Sequence, residues 1–271
     1  MASGWDSIGG HPSPMTISKP SELRSGPPRA LRAGIFDVDG VLLASPHERA
    51  WREALHGFAE PDRFTTAMYQ AHVAGKPRLS GARAALEALG VPDAERQAVA
   101  YAERKQERLE ALIVAGRVDA FADALRFVQA VGGLGWPMAA ASSSKNANRM
   151  MKPVRLASGQ GLLDAFSANV CGRDLHQGKP DPEIFLLAAA ELRIAPEHCF
   201  VVEDAPAGIQ AARAGGMATL GVARLGDAAL LQAAGADLVV TSLDDVAIGE
   251  LARGLAWSRD QGCGRTDPNP V

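Results

Sequence analysis

Residues 33–40 read Ala33-Gly34-Ile35-Phe36-Asp37-Val38-Asp39-Gly40. A short apolar run closed by two acids and a glycine is the pattern of a buried strand that ends in a loop. The residues on either side decide how that strand is used. Ser45-Pro46-His47-Glu48 spells a capping box with Pro at the first helical position. Behind it, Ala50, Trp51, Ala54, Leu55 and Phe58 fall on one helical face. Residues 80–90 form a second short helix ending at Gly90, and Asp93 caps a long third one through Tyr101, Lys105, Leu109 and Leu112 to about Val114. From 44 to about 115 the chain reads as purely helical.

Beyond that point the pattern alternates. A helix over 120–131 leads to the apolar run Trp136–Ala141, then a Ser-Ser-Ser-Lys turn with a helix start, then the run Phe166–Cys171. A helix from Pro182 to Leu192 precedes the run Cys199–Val202. A helix from Pro206 to Ala214, a strand at Ala218–Val222, a helix near 227–233 and a strand at Leu238–Thr241 complete the series. Short apolar strands alternating with helices predict an α/β fold, a Rossmann-like three-layer parallel sheet covered on both faces. The helical stretch 44–115 is an insert in it. The core is expected over 31–43 and 116–255, and functional groups beyond the carboxyl ends of its strands.

The ends read differently. Residues 1–30 contain six Ser, four Gly and five Pro, too little apolar surface to offset chain entropy, and are expected to be disordered. The tail over 256–271 is polar and expected to be flexible, with Cys263 an exposed thiol. The whole chain has 271 residues, 47% hydrophobic and 22% charged, with a net charge of −3. That excludes collagen-like, disordered and disulfide-scaffold classes and gives no global attraction to nucleic acid or to an anionic membrane. Three widely spaced Cys without a CxxC argue against a disulfide framework or zinc knuckle. No run approaches the roughly 18 apolar residues of a membrane span, and residues 1–30 lack a signal-peptide core. A cytoplasmic monomer is expected.

Four strand ends carry polar groups. Asp37-Val38-Asp39-Gly40 sets two carboxylates two residues apart. Such a pair costs least beside a divalent cation, and oxygen ligands suit Mg²⁺; a carboxylate also forms aspartyl phosphates. The same residues serve an ordinary turn. Ser142-Ser143-Ser144-Lys145-Asn146 offers a hydroxyl and backbone N–H groups to an anion, or simply starts a helix. Lys179, in Gly178-Lys179-Pro180-Asp181-Pro182, neutralises phosphoryl charge or is a solvated loop lysine. Glu203 and Asp204 complete a metal site or favour the dipole of the helix behind them. A parallel sheet gathers all four at one edge, and together they describe phosphoryl transfer.

At this point the residues resemble the haloacid dehalogenase superfamily. Its DxDGV motif matches Asp37 to Val41, its second-motif Ser matches Ser142, its third-motif Lys matches Lys179, and its acidic fourth motif matches Glu203-Asp204. The likeness covers roughly residues 32–245. It implies Asp37 as nucleophile and Asp39 as general acid and base. It also implies Ser142 and Lys179 as holders of the transferring phosphoryl group. Mg²⁺ would sit on Asp37, the Asp39 carbonyl and Asp204, with Glu203 close by. The insert at 44–115 is similar to the superfamily's small helical cap. Dehalogenases of the superfamily lack an acid at the Asp39 position, so the resemblance is to phosphoryl-transfer members. The phosphonate-cleaving branch uses a cap lysine as a Schiff base, a role open to Lys76 or Lys105.

The cap resembles the β-phosphoglucomutase branch in particular. His47-Glu48-Arg49-Ala50-Trp51 matches its His-x-x-x-Trp, and Gly75-Lys76-Pro77-Arg78 matches the loop whose Arg binds the distal phosphate. Arg104-Lys105 matches its Arg-Lys pair, and Ser144-Lys145-Asn146, with Ser143 beside it, matches the segment holding the distal phosphate. Each has a plainer use: His47 in a first turn, Trp51 in a core, Arg78 and Lys105 on solvated faces, Lys145 and Asn146 at a helix start. The stretch Val41–Pro46 is about two residues shorter than the branch's hinge and lacks its Thr-Asp-Thr polarity, and Met150–Gly161 is longer.

The resemblance implies a mutase converting β-glucose 1-phosphate to glucose 6-phosphate, with glucose 1,6-bisphosphate as activator. The alternatives are a phosphatase of small phosphorylated metabolites and a non-catalytic sugar-phosphate sensor. The partner in each case is a small phosphorylated sugar or metabolite, with no nucleic acid and no membrane. Gly132-Gly133-Leu134-Gly135 lacks the dinucleotide fingerprint and precedes a strand instead of following one.

Overall fold

Strand β1 (Ala33–Phe36) is buried at every residue and sits mid-sheet, paired in parallel with β4 (Met138–Ala140) and β6 (Cys199–Glu203). Its alternate side chains serve two cores. Phe36 meets Phe127, Phe166 and Phe200 edge-on at 6.0, 5.8 and 6.0 Å between centroids, while Ala33 and Ile35 face the opposite cluster with Ile184, Phe185 and Ala211. The computed structural model describes residues 30–252. The expectations for residues 1–29, for the tail 256–271 and for Cys263 lie outside the described residues.

In chain order, β1 is followed by β2 (Leu43–Ala44), α1 (His47–Ala54), α2 (Thr66–His72), α3 (Arg78–Ala88), α4 (Ala94–Val114), β3 (Asp119–Ala120) and α5 (Ala122–Gly133). After β4 come α6 (Ala147–Met151), β5 (Ala168–Asn169) and α7 (Glu183–Leu192). Then β6 leads to α8 (Pro206–Ala214), β7 (Ala218–Val222), α9 (Ala228–Ala234), β8 (Leu238–Val240) and α10 (Ile248–Ala252). The main sheet runs β5-β4-β1-β6-β7-β8, all parallel. Phe127, Val128 and Val131 of α5 cover one face. Residues of α7 and α8 cover the other. This is the α/β architecture expected from the alternation.

Helices α1–α4 have a core of their own, built on Trp51, Leu55, Phe64, Leu86 and Tyr101, with the Tyr101 hydroxyl donating to the Trp51 carbonyl at 2.9 Å. The chain leaves the sheet for this insert and returns to it through a two-stranded antiparallel ribbon, Leu43 opposite Ala120 and Ala44 opposite Asp119. Two-residue strands carry no periodicity, and this ribbon was not legible in the pattern.

Two local expectations are corrected, and one helix of the insert had not been singled out. The capping box at Ser45–Glu48 does not form: α1 has no side-chain cap, because Glu48 accepts from Arg52 and, at 2.8 Å, from Thr66, and the Ser45 hydroxyl is turned to Asp39. Asp93 precedes α4 in the left-handed region (φ 52°) without capping it, and its carboxylate pairs with Arg96 instead. Helix α2 was not foreseen; Thr65 Oγ1 caps it, accepting from the Met68 amide at 3.2 Å. In the long segment 150–161, Met150 and Met151 end α6 and a turn follows that is closed by Leu156 N–H to Gln160 O at 2.9 Å, with Leu156 packed into the core. Cys171 and Cys199 are buried free thiols.

Candidate active site

The polar residues of four strand ends meet at the carboxyl edge of the sheet. Asp37 continues β1, its amide donating to Val202 O at 3.0 Å, which fixes its carboxyl at the edge. Lys179, from the loop before α7, is fully buried between Asp37 Oδ1 at 2.5 Å and Glu203 Oε1 at 2.6 Å. Burial works against this ammonium, but the two carboxylates outweigh it and hold Lys179 protonated. Burial raises Asp37, with Lys179 opposing and Asp39 adding. It pushes Glu203 up to about 6 against the pull of Lys179. Glu203 Oε2 accepts from the amides of Asp204 and Ala205, each at 3.0 Å. A Cβ at Gly208 would fall 1.8 Å from Glu203 Oε1, so the first turn of α8 requires glycine there. Both oxygens of Glu203 are thus engaged by protein groups, and it serves as a seat for Lys179.

Asp39 lies one turn of loop further on. Its Oδ2 accepts from Ser142 Oγ at 3.2 Å, and Ser142 Oγ in turn accepts from the Ser144 amide at 3.1 Å. Asp39 Oδ1 is buried without a hydrogen-bond donor, with His47 Nε2 3.5 Å away. Burial raises Asp39, with Ser45, Lys105 and Ser142 opposing.

The insert supplies the facing wall. Lys105 Nζ meets His47 Nδ1 at 2.9 Å and stands 4.9 Å from the centre of the Trp51 ring. Burial lowers Lys105 to about 7. Burial first, and Lys105 second, lower His47 well below its ordinary value. A neutral His47 accepting from Lys105 carries its proton on Nε2, directed at Asp39 Oδ1 and at Ser144 Oγ, 3.4 Å away. Ser143 Oγ donates to the Gly75 carbonyl at 3.4 Å, and Asn146 Nδ2 to Gln106 at 3.4 Å. Lys145 is exposed and paired with Asp174 at 2.7 Å; Arg78 opens α3 at the rim.

One cavity of about 260 Å³ joins these groups, with Asp37, Asp39, Ser142 and Asp204 on the sheet side. His47, Trp51, Gly75, Arg78 and Lys105 line it from the insert, and Ser143, Ser144, Lys145 and Asn146 from the loop after β4. Lys179 and Glu203 do not reach the wall; they lie behind Asp37.

The donor set fits a hard divalent cation. Asp37, Asp39, Glu203 and Asp204 stand close together with Lys179 between two of them, and burial together with Glu203 and Asp37 holds Asp204 well above its ordinary value, a charge excess that a cation relieves. A Cβ at Gly40 (φ +84°) would fall 1.9 Å from Asp204 Oδ2, so Asp204 packs against the Asp39–Gly40 backbone. Among the described residues no three His, Cys, Asp or Glu side chains form a cage. Two carboxylates, a carbonyl and water make the sparse set typical of Mg²⁺.

A haloacid dehalogenase-like hydrolase profile matches residues 31–216. The chain belongs to the haloacid dehalogenase-like hydrolase family. Within reach of this family member is a β-phosphoglucomutase of Mycobacterium tuberculosis, 34% identical over 257 residues and covering 83% of this chain and 96% of that protein. A fructose-1-phosphate phosphatase of Escherichia coli is 33% identical over 192 residues, covering 68% of this chain and 92% of that protein. The crystal structure of β-phosphoglucomutase from Pyrococcus sp. strain ST 04 superposes with a TM-score of 0.65 at 30% identity, over 82% of this chain and 97% of that one.

In this haloacid dehalogenase-like hydrolase the cavity also holds Tyr69, Lys76, Gln106, Arg173 and Asp174. Sequence reasoning considered Lys76 only as a Schiff-base lysine and missed the rest. Tyr69 sits on the unforeseen helix α2. Arg173 and Asp174 follow the predicted run Phe166–Cys171, so the rule that ligands lie beyond strand ends could have found them.

Proposed function

We propose that the protein is a Mg²⁺-dependent phosphoryl-transfer enzyme working through an aspartyl phosphate on Asp37, and that it acts as a mutase converting β-glucose 1-phosphate to glucose 6-phosphate. The observation that carries this reading is one cavity lined both by the carboxylates of Asp37 and Asp39 and by further groups suited to an anion, Arg78, Lys145 and Asn146. A phosphatase needs only the first; a mutase, whose bisphosphate intermediate must turn over, needs both. Residues 44–115 act as the cap over a core of 31–43 and 116–255, on a small phosphorylated sugar, as a cytoplasmic monomer. Among the described residues no helix is long and apolar enough to cross a membrane.

Asp37, its Oδ1 held by Lys179, attacks phosphorus with the other oxygen. The phosphoryl group on Asp37, first supplied by glucose 1,6-bisphosphate, passes to the 6-hydroxyl of β-glucose 1-phosphate, whose proton goes to Asp39. The bisphosphate turns over, and its 1-phosphoryl group returns to Asp37 while Asp39 gives the proton back to the leaving 1-oxygen. Burial raises Asp39, which favours the protonated form this step needs. Ser142 and the Lys145–Asn146 segment orient the two phosphates. Asp37, Asp204 and the Asp39 carbonyl would hold Mg²⁺, which when bound offsets charge on the phosphoryl oxygens.

The short stretch Val41–Pro46 favours a second reading, a phosphatase whose aspartyl phosphate is open to water. The test supplies the protein with β-glucose 1-phosphate, Mg²⁺ and a trace of glucose 1,6-bisphosphate and follows glucose 6-phosphate and free phosphate separately. Glucose 6-phosphate without free phosphate is expected; free phosphate alone would overturn the mutase reading in favour of the phosphatase.

A further inference from the structure

We infer that Arg224, two residues beyond β7 and outside the cavity of the proposed reaction, is a positioning residue that locks the loop presenting Asp37 and Asp39 and anchors both crossings between sheet and insert. Its Nε donates to the Gly40 carbonyl at 3.0 Å, its Nη2 to the Val41 carbonyl at 3.1 Å, and its Nη1 to Asp123 Oδ2 at 3.0 Å. The guanidinium carbon lies 3.7 Å from the centre of the Phe121 ring. Arg224 therefore grips residues 40–41, just before β2, and residues 121 and 123, just after β3. These are the two places where the chain passes between sheet and insert.

Each contact has a physical use. Hydrogen bonds from a charged donor are about twice as strong as neutral ones, and two of them fix the peptides that follow Asp39. The third partner is itself fixed: Asp123 accepts from the amides of Ala124 at 2.9 Å and Leu243 at 2.8 Å and from Ser242 Oγ at 3.2 Å. Burial works against Asp123, but Arg224 and the Leu243 amide outweigh it and hold it ionised. The Phe121 amide donates to the Leu42 carbonyl at 3.0 Å, so both crossings are tied to each other as well as to the guanidinium. A lysine has no planar fork with which to meet two carbonyls, a carboxylate and a ring face at once. The loop end is therefore fixed to the sheet, and with it the aim of Asp39.

The inference rests on the phosphoryl-transfer reading for its kinetic consequence but not for its structural one, and the experiment separates them. Amide hydrogen exchange is measured on the full-length protein, wild type, Arg224→Lys and Arg224→Met, alongside steady-state kinetics in the mutase assay. In Arg224→Met the hydrogen-bonded amides of Leu42, Leu43 and Phe121 should exchange at least ~10-fold faster, the worth of one charge-assisted hydrogen bond, with β6 and β7 unchanged. In the same variant kcat should fall by at least ~10-fold with KM within about 2-fold, the pattern of a contact felt in the transition state. Arg224→Lys should recover only part of either effect. Unchanged exchange at the three amides, or an equal rise across the whole sheet, would overturn the brace. An active wild type with unaltered kcat in Arg224→Met would overturn its link to catalysis. A wild type inactive on every sugar phosphate would sink the phosphoryl-transfer reading alone, because the exchange result still decides the brace.

Discussion

Lys179 is buried with two carboxylates on it, and the consequence for stability is large. Removing one partner of a buried ion pair strands the others, at about 3–5 kcal/mol. Lys179→Met should lower the urea-derived unfolding free energy by about that amount, and adding Glu203→Gln should return part of it without returning activity. Lys105 makes a second prediction, with a definite sign. Burial lowers it to about 7 from the ordinary 10.5. Between those values the unfolded chain binds the extra proton, so this residue makes stability rise with pH across the window. Lys105→Met should remove that slope and be more stable than the wild type at pH 7 in denaturant titrations. If the ammonium attracts a phosphate, kcat/KM of the wild type should fall as pH rises through about 7, and the variant should lack that limb. Residue types were legible at this scale: Asp37, Asp39, Ser142 and Asp204 follow strand ends in the sequence, and Lys179 stands in the loop before α7. That Lys179 and Glu203 lie behind the wall was not, because both oxygens of Glu203 are fixed by tertiary contacts and by the absence of a side chain at Gly208.

Elements announced themselves in proportion to their periodicity. Helix α8 and strand β7 match the reading to the residue, because Pro206 marks a first helical position and Gly215-Gly216 separates the helix from the run Ala218–Val222. Helix α2 did not, since its seven residues bury only Gln70 and so show no apolar stripe. The Ser45–Glu48 pattern misled because Arg52 and Thr66 compete for Glu48. Within the insert, Tyr101 hydrogen-bonds across to α1. Tyr101→Phe should cost about 1 kcal/mol, read as a lower thermal midpoint with the far-UV spectrum unchanged. Gly40→Ala should do more harm than its size suggests, combining a positive φ with a contact 1.9 Å from Asp204; the expected result is a folded protein with turnover reduced by at least ~100-fold, of the order that a 1 Å misplacement costs.

Across the whole molecule, the cavity draws on both sheet and insert, and its two ends should separate in kinetics. Arg78→Ala should depress glucose 6-phosphate formation more than hydrolysis of a monophosphate, the two rates being followed on one preparation. Equal, small effects would remove the second anion site. The alternation of strands and helices after residue 116 was enough to predict the sheet and which edge bears the chemistry, because parallel topology leaves little choice. The way the two bodies close on each other was not in the pattern, since it depends on single contacts such as Ser143 to Gly75.

The ribbon of Leu43–Ala44 against Asp119–Ala120 has a meaning for how such proteins diversify. Paired antiparallel residues stand about 5 Å apart, so everything between them begins and ends at nearly one point in space. To the sheet, the intervening 45–118 is a single long loop that starts and ends in one place. A recombination that exchanges that loop would keep the sheet and its carboxylates while replacing Ser45, His47 and Lys105 beside Asp39, and a short Gly-Ser bridge from Ala44 to Asp119 should leave a sheet that still folds.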